Sequence, residues 1–267
     1  MFIFLKQKEE IQHVFSFQQK IVITGAASGI GKEAAIQFTE AGAEVALLDK
    51  DDLSGVVQSL QSKGRTVFSY AADVSNPEQM ENSFSRIAEH WGQIDGVFAN
   101  AGMNGRLAPI EDLTPEDWDL TLAVNLKSTF LSLKYAIPPM KESGGSIVIT
   151  SSINGNRTFS SLGMSAYSTS KAGQTALAKM AAVELAPYNI RVNAICPGGV
   201  ETNIGERTYP DEEHLQELRA RHQKAAEPPG RNAPPEKITN VAAFLLSDAS
   251  NHLSGTEMYI DGASSLF

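Results

Sequence analysis

"KIVITGAASGIG", residues 20 to 31, sets a run of apolar residues directly against a glycine-rich turn. Ile21, Val22 and Ile23 are apolar on both faces, as a strand buried on both sides of a parallel sheet must be. Gly25, Gly29 and Gly31 follow, with Ser28 and Ile30 between them, where the strand would turn into a helix. Glycine lets backbone approach a ligand closely, and the free amides at a helix start attract a pyrophosphate. The spacing is G-x-x-x-G-x-G rather than the commoner G-x-G-x-x-G, and a glycine turn alone also serves a plain tight bend.

Working outward, the same apolar pattern recurs in "EVALL" (44 to 48), "TVFSY" (66 to 70), "DGVFA" (95 to 99), "SIVIT" (146 to 150), "IRVNAI" (190 to 195) and "EMYI" (257 to 260). Each of the earlier runs is followed by a longer segment of helical periodicity. About seven such strands alternating with helices predict an α/β fold, a doubly wound parallel sheet with helices on both faces, Rossmann-like in plan. With 267 residues and no break in composition, residues 16–267 read as a single domain. Residues 1–15 read as a loosely attached extension, with Phe2 and Phe4 available to pack on a neighbouring surface.

The irregular region is 202–236, where "PDEEHLQELRARHQKA" reads as an amphipathic helix bracketed by prolines. Its acids precede its bases, which suits the helix dipole. The insertion reads as a lid over the carboxyl edge of the sheet.

A net charge of −9 disfavours nucleic acid and anionic membranes and favours a small-molecule partner. No apolar stretch reaches the ~20 residues needed to span a bilayer. The single cysteine, Cys196, excludes an internal disulfide; no Cys/His cluster has zinc spacing, so no metal is expected, and the compartment expected is the cytoplasm. Cys196, Trp91 and Trp118 read as packing or surface residues, and His214 and His222 as solvated positions on the lid helix.

Strand ends then carry polar residues where ligands bind in such sheets. Asp49 ends the second strand, 24 residues after Gly25, placed to accept from adenosine ribose hydroxyls and to repel a 2′-phosphate, which favours NAD over NADP. Lys50 softens that repulsion and Asp51 and Asp52 add to it; Asp49 could also simply cap a helix. "ADVS" offers Asp73 to the adenine amino group, beside Val74, and "ANAG" offers the backbone of Asn100, Ala101 and Gly102; turn chemistry explains each equally well. "MSAYSTSK" places Tyr167 and Lys171 one helical turn apart on a common face.

These motifs, in this order with Asn125 in "LAVNLKS", "TSS" at 150 to 152, "PGGVET" at 197 to 202 and the late "YIDG", resemble the short-chain dehydrogenase/reductase family over residues 16 to 262. The resemblance implies an NAD-dependent oxidoreductase acting on a secondary alcohol or its ketone. Tyr167 would be the acid/base; Lys171 would lower its pKa and hold the nicotinamide ribose; Ser152 would stabilise the substrate oxygen. Asn125, on the long helix before them, would fix a water for proton exchange. Pro197, Gly198, Val200 and Thr202 would close on the nicotinamide, Val200 and Thr202 being the nearest contacts. The family's commonest spacing puts its serine thirteen residues before the tyrosine, where this chain has Asn154. Motif context selects Ser152 and implies a loop two residues longer, leaving Ser151, Ser160 and Ser161 as weaker candidates and Asn154 as a substrate contact. Ile153, Leu162 and Met164 would line the rest of the pocket. The family also implies a homotetramer. A 3-oxoacyl-thioester reductase and a dinucleotide-binding protein without catalysis are the competing functions.

Overall fold

The computed structural model describes residues 19–159, 161–221 and 232–266. The extension 1–15, Ser160, His222 and the middle of the expected lid lie outside the described residues. Seven parallel strands form the central sheet: β1 Lys20–Thr24, β2 Glu44–Asp49, β3 Val67–Ala71, β4 Gly96–Ala99, β6 Gly145–Thr150, β7 Ile190–Pro197 and β9 Glu257–Ile260. Their order is β3-β2-β1-β4-β6-β7-β9, so the chain reverses direction across the sheet between β1 and β4. Ligand crevices of doubly wound folds open at that reversal, outside the carboxyl ends of the strands.

Alternation along each strand builds two cores. Val22, Ala46, Leu48, Ile147 and Ile149 point to one face, where they meet α3 Pro77–Trp91, α5 Ser128–Met140 and α6 Ser165–Leu185. Ile21, Ile23, Val45, Leu47 and Val148 point to the other, toward α1 Gly29–Glu40, α2 Ser54–Gln61 and α8 Pro235–Leu246. Phe84, Phe38 and Met140 are completely buried in these layers, and burying a side chain of that size contributes about 1.5–3 kcal/mol.

The helix starts differ in an informative way. Asn76 caps α3 by accepting from Gln79 N at 3.1 Å, and Thr114 caps α4 Pro115–Leu122 by accepting from Asp117 N at 3.1 Å. Ser28 makes no side-chain cap at the start of α1. The two capped helices begin in plain surface turns, whereas α1 begins at the glycine turn.

Two short strands were not visible in the sequence pattern. β5 Gly105–Leu107, after β4, pairs in parallel with β8 Thr208–Pro210, after β7. The expected lid helix is α7 Glu212–Arg221, and Leu215 on it is completely buried. Among the described residues, no helix is long and apolar enough to cross a membrane, and no group of acidic, histidine or cysteine side chains is arranged to hold a metal ion.

Candidate active site

A cavity of about 710 Å³ runs along the carboxyl edge of the sheet. At one end the wall is the turn between β1 and α1. Gly25 has φ +70°, and a Cβ there would lie 2.8 Å from the Cα of Ala101. A Cβ at Gly31 would lie 2.0 Å from the carbonyl oxygen of Gly25. Backbone therefore fills the space a side chain would need, and the uncapped amides of α1 face the cavity beside Ser28, Gly29 and Ile30. A phosphate group fits this cradle through hydrogen bonds and the helix dipole alone.

Asp49, buried at the tip of β2, lines the same end. Its carboxylate accepts from Ala27 N at 3.0 Å and from Asp51 N at 3.1 Å, tying the glycine turn to the loop after β2. A carboxylate has about four acceptor positions, so capacity remains for ligand hydroxyls. Asn100, Ala101 and Gly102 line the cavity as the sequence suggests. The Asn100 side chain also staples three strands: Nδ2 donates to Thr24 O at 3.3 Å, and Oδ1 accepts from Thr150 Oγ1 at 3.2 Å. Asp73 and Val74 lie outside the lining residues; Asp73 Oδ1 instead accepts from Ser75 N at 2.9 Å and Ser75 Oγ at 2.7 Å.

Tyr167, Lys171 and Ser152 converge on the middle of the cavity. Ser152 follows β6; its hydroxyl accepts from Asn154 N at 3.2 Å and is near enough to the Tyr167 phenol to favour its ionised form. Lys171 Nζ lies 5.6 Å from the centroid of the Tyr167 ring and donates to Thr150 O at 2.8 Å. The electrostatics differ from the sequence expectation that the ammonium lowers the phenol. Burial dominates and holds the Tyr167 pKa above its ordinary value, with the Ser152 hydroxyl acting in the opposite direction. Burial also lowers Lys171 to about 8.

Asn125 sits not in a regular helix but in a π-helical turn, Ala123–Lys127, between α4 and α5. Completely buried, its side chain accepts from Met103 N at 2.8 Å and donates to Met103 O and Ser170 Oγ, both at 2.9 Å. Its carbonyl accepts from Gln174 Nε2 at 2.9 Å. π-turns of this kind recur at functional sites. A Cβ at Gly102 would fall 3.3 Å from Asn125 Oδ1 and 3.4 Å from Lys171 Nζ, so the missing side chain leaves a gap between those two groups. Ser170 and Gln174 were missed from the sequence. Together with Tyr167 and Lys171 they make a polar stripe on the buried face of α6, which is the signal that could have found them.

Pro197, Gly198, Val200 and Thr202 line the cavity beyond β7. Ile153, Asn154, Ser161 and Met164 line the far end, together with Asn104 and Thr158, which the sequence reading did not single out; Leu162 is not among the lining residues. The segment after β7 contributes Ile204 and Arg207, and Arg207 pairs with Asp51. Arg106 on β5 reaches Asp211 at 2.7 Å, and Asp211 in turn holds His214 at 3.0 Å. His214 is thus a half-exposed structural partner. Cys196 is completely buried beneath Ser151, and burial pushes its thiol up to about 11.

Comparison with known proteins agrees with this geometry. The family described as enoyl-(acyl carrier protein) reductase matches residues 25–264. A 3β-hydroxysteroid dehydrogenase 2 of Eggerthella lenta is 35% identical over 254 residues, covering 93% of this chain and 95% of the relative. A 3-ketoacyl-ACP reductase of Sinorhizobium meliloti superposes with TM-score 0.85 at 38% identity, covering 92% of this chain and 99% of that one. A short chain dehydrogenase of Mycobacterium paratuberculosis bound to NAD superposes with TM-score 0.85 at 26% identity, covering 94% and 99%.

Proposed function

The chain belongs to the short-chain dehydrogenase/reductase family, and from that premise we propose that it transfers hydride between a secondary alcohol or its ketone and NAD. One observation carries the reading: Tyr167, with Ser152 beside it and one turn from Lys171, stands on the wall of the cavity that the glycine turn and Asp49 also line. A bound nicotinamide dinucleotide supplies the hydride acceptor or donor. The α1 amides would hold its pyrophosphate, and Lys171 its nicotinamide-side ribose. Val200 and Thr202 would flank the nicotinamide.

In reduction, Tyr167, which burial keeps as the neutral phenol, donates a proton to the forming alkoxide; in oxidation it takes the hydroxyl proton only after it has first given up its own. Ser152 donates to the same oxygen as charge develops on it. The gap at Gly102 between Asn125 and Lys171 gives a water room to pass protons outward. NAD rather than NADP is supported by Asp49, whose buried carboxylate would meet a 2′-phosphate with like charge. The bound NAD of the Mycobacterium paratuberculosis relative points the same way.

A 3-oxoacyl thioester is the alternative substrate, favoured by the name of the Sinorhizobium meliloti relative and opposed by this chain's net charge of −9 toward an acidic carrier. We also assign residues 202–236 as a lid. Exposed Phe130, Met180 and Val183 on α5 and α6 support a homotetramer that covers them, and a lone buried cysteine suits the cytoplasm.

The test is a screen of secondary alcohols with NAD and NADP in parallel, following reduced nicotinamide. NAD-dependent oxidation of at least one alcohol is expected. Equal or better rates with NADP would remove the cofactor assignment, and no oxidation or reduction of any substrate would remove the activity.

A further inference from the structure

The loop after β6 begins at Ser152 and is held from two sides, both of which lead back to α6. On one side the contact is direct. A Cβ at Gly155 would lie 2.8 Å from Ala172 N and from the carbonyl carbon of Lys171, and 3.1 Å from Lys171 Cβ. Gly155 does not have a positive φ, so the glycine is needed for closeness and not for backbone freedom. Gly155 N donates to Ser152 O at 3.2 Å, and Ser151 Oγ donates to Lys171 O at 2.8 Å.

On the other side the contact runs through β9, the edge strand, which pairs with β7 alone in the sheet. Asn156 Nδ2 donates to the Tyr259 hydroxyl at 2.8 Å and also to Glu257. The Tyr259 hydroxyl donates to Glu257 at 2.7 Å, and Glu257 pairs with Lys179 at 2.5 Å. The Arg157 guanidinium lies over the Tyr259 ring, 3.5 Å from its centroid. Lys179 stands two turns beyond Lys171 on α6, about 12 Å along the axis. The brace is therefore closed, from α6 to β9 to the loop and back to α6 beside Lys171.

The ionisation of its members suits the brace. Burial raises the Glu257 pKa, but the bonds from Lys179 and Tyr259 outweigh it and hold the carboxyl below its ordinary value. Burial and that same carboxylate push Tyr259 up to about 12. Acceptor and donor thus keep their roles throughout the neutral range. For stability alone the arrangement is a poor choice: Asn156 Oδ1 is withdrawn from solvent with no partner, and apolar packing of the same volume often stabilises as much as a polar cluster.

We propose that Asn156, Tyr259 and Glu257 are positioning residues, which fix the loop against α6 and so set Ser152 relative to Tyr167 and Lys171. This rests on the oxidoreductase reading above. None of the three lines the cavity, so their effect on turnover passes through the loop. A shift of about 1 Å at a reacting group can cost on the order of a hundredfold in rate, which makes a slackened brace measurable.

The experiment reads two quantities in the full chain. One is hydrogen exchange over 153–158, where the amides of Arg157 and Thr158 donate to Ile153 O at 2.9 and 3.0 Å. The other is kcat with the alcohol oxidised fastest in the screen above, beside the NAD dissociation constant from fluorescence titration. Tyr259→Phe keeps the ring beneath Arg157 and removes only the hydroxyl. It is expected to speed exchange over 153–158 about tenfold and to lower kcat about three- to tenfold, the loss of one or two hydrogen bonds. Exchange in β1 and α1 should not change, and NAD affinity should stay within about twofold.

Glu257→Gln keeps an acceptor for Tyr259 and Asn156 and loses only the pairing with Lys179, whose side chain is 58% exposed. It should remain within about twofold of wild type in both readouts, whereas Glu257→Leu should match Tyr259→Phe. Asn156→Ala combined with Tyr259→Phe should cost no more than the larger single loss, because both open the same brace. Unchanged exchange in Tyr259→Phe overturns the brace. Faster exchange with kcat unchanged, or a loss that falls on NAD affinity in place of kcat, overturns the positioning role. Failure of the wild-type chain with every secondary alcohol overturns the oxidoreductase reading instead, and exchange alone then decides the brace.

Discussion

The two ends of the cavity are made of different material. At the glycine turn the wall is mostly backbone: Gly25, Gly29 and Gly31 lie within seven consecutive residues, Gly25 packs against the main chain of Ala101 and Gly31 against that of Gly25, while Gly29 faces the Thr202 side chain. At the far end the wall is side chain, contributed by loops after β4, β6 and β7 that meet only in the folded chain. Asn104 Nδ2 donates to Thr208 Oγ1 at 2.9 Å, Arg106 holds Asp211, and Asn156 reaches Glu257, pairs separated by about a hundred residues. Backbone walls cannot vary without losing the fold of the turn, whereas side-chain walls can. The first end suits a cofactor common to many enzymes, and the second suits a substrate peculiar to one.

The largest effect is expected at the seam between them. Tyr167→Phe should leave NAD binding within about twofold and lower turnover at least a hundredfold, the scale of a lost positioned acid/base. Titrating NAD by fluorescence beside steady-state rates checks both halves of the statement, and undiminished turnover would sink the mechanism. Lys171→Met should also abolish turnover, yet stabilise the fold. The wild-type lysine is held at about 8 by burial, below its unfolded value, so the folded state bears the cost of the buried ammonium at all pH values below about 8. That cost is relieved as pH rises from 8 toward 10.5, because the unfolded chain then binds more protons than the folded one. Denaturant unfolding at pH 7 should therefore show Lys171→Met more stable by about 1–3 kcal/mol, with the difference shrinking toward pH 10. A destabilised variant at pH 7 would mean that the bond from Nζ to Thr150 O outweighs desolvation.

The cofactor end was legible in the sequence for a physical reason. A glycine is a statement about space, and "TGAASGIG" reports the close approach of backbone without needing to know what approaches. Asp49 was equally legible because it terminates an apolar run. What the sequence left open was which of its possible roles it fills; in the structure it already binds one amide of the turn and one of the loop after β2. The substrate end was legible only as a lengthened loop. Nothing local marks Asn104 or Thr158 as wall residues, and the pairing of β5 with β8 joins two three-residue stretches too short for periodicity to register. The π-turn at Asn125 was unreadable for a similar reason. Its cause is tertiary, a buried amide that bonds Met103 and Ser170 at once.

Asp49→Ala sharpens the contrast from the cofactor side. Affinity for both dinucleotides should fall, since the turn loses its tie to Ala27 N and Asp51 N. NAD should suffer more, so that the preference over NADP narrows about tenfold, the value of one charge-assisted hydrogen bond. Titration of both cofactors checks this, and an unchanged ratio would take Asp49 out of ribose recognition.

The smallest effect is expected from the clasp at the substrate end, and it tests whether that end is held by charge or by backbone. Arg106 is 38% exposed where it meets Asp211, and an ion pair so open to solvent contributes about 0–1 kcal/mol. The backbone bonds around it are sheltered and independent of the side chain: Asp211 N donates to Leu107 O at 2.8 Å, and Ala108 N donates to Gly163 O at 3.2 Å. Leu215 is completely buried over the same junction, and Gly163 admits it because a Cβ there would lie 2.7 Å from Leu215 Cδ2. Arg106→Gln should therefore shift Tm by less than about 4 °C and raise KM for the alcohol a few-fold with kcat unchanged. A collapse of kcat in that variant would show that the ion pair, and not the paired strands, sets the position of β8 and α7.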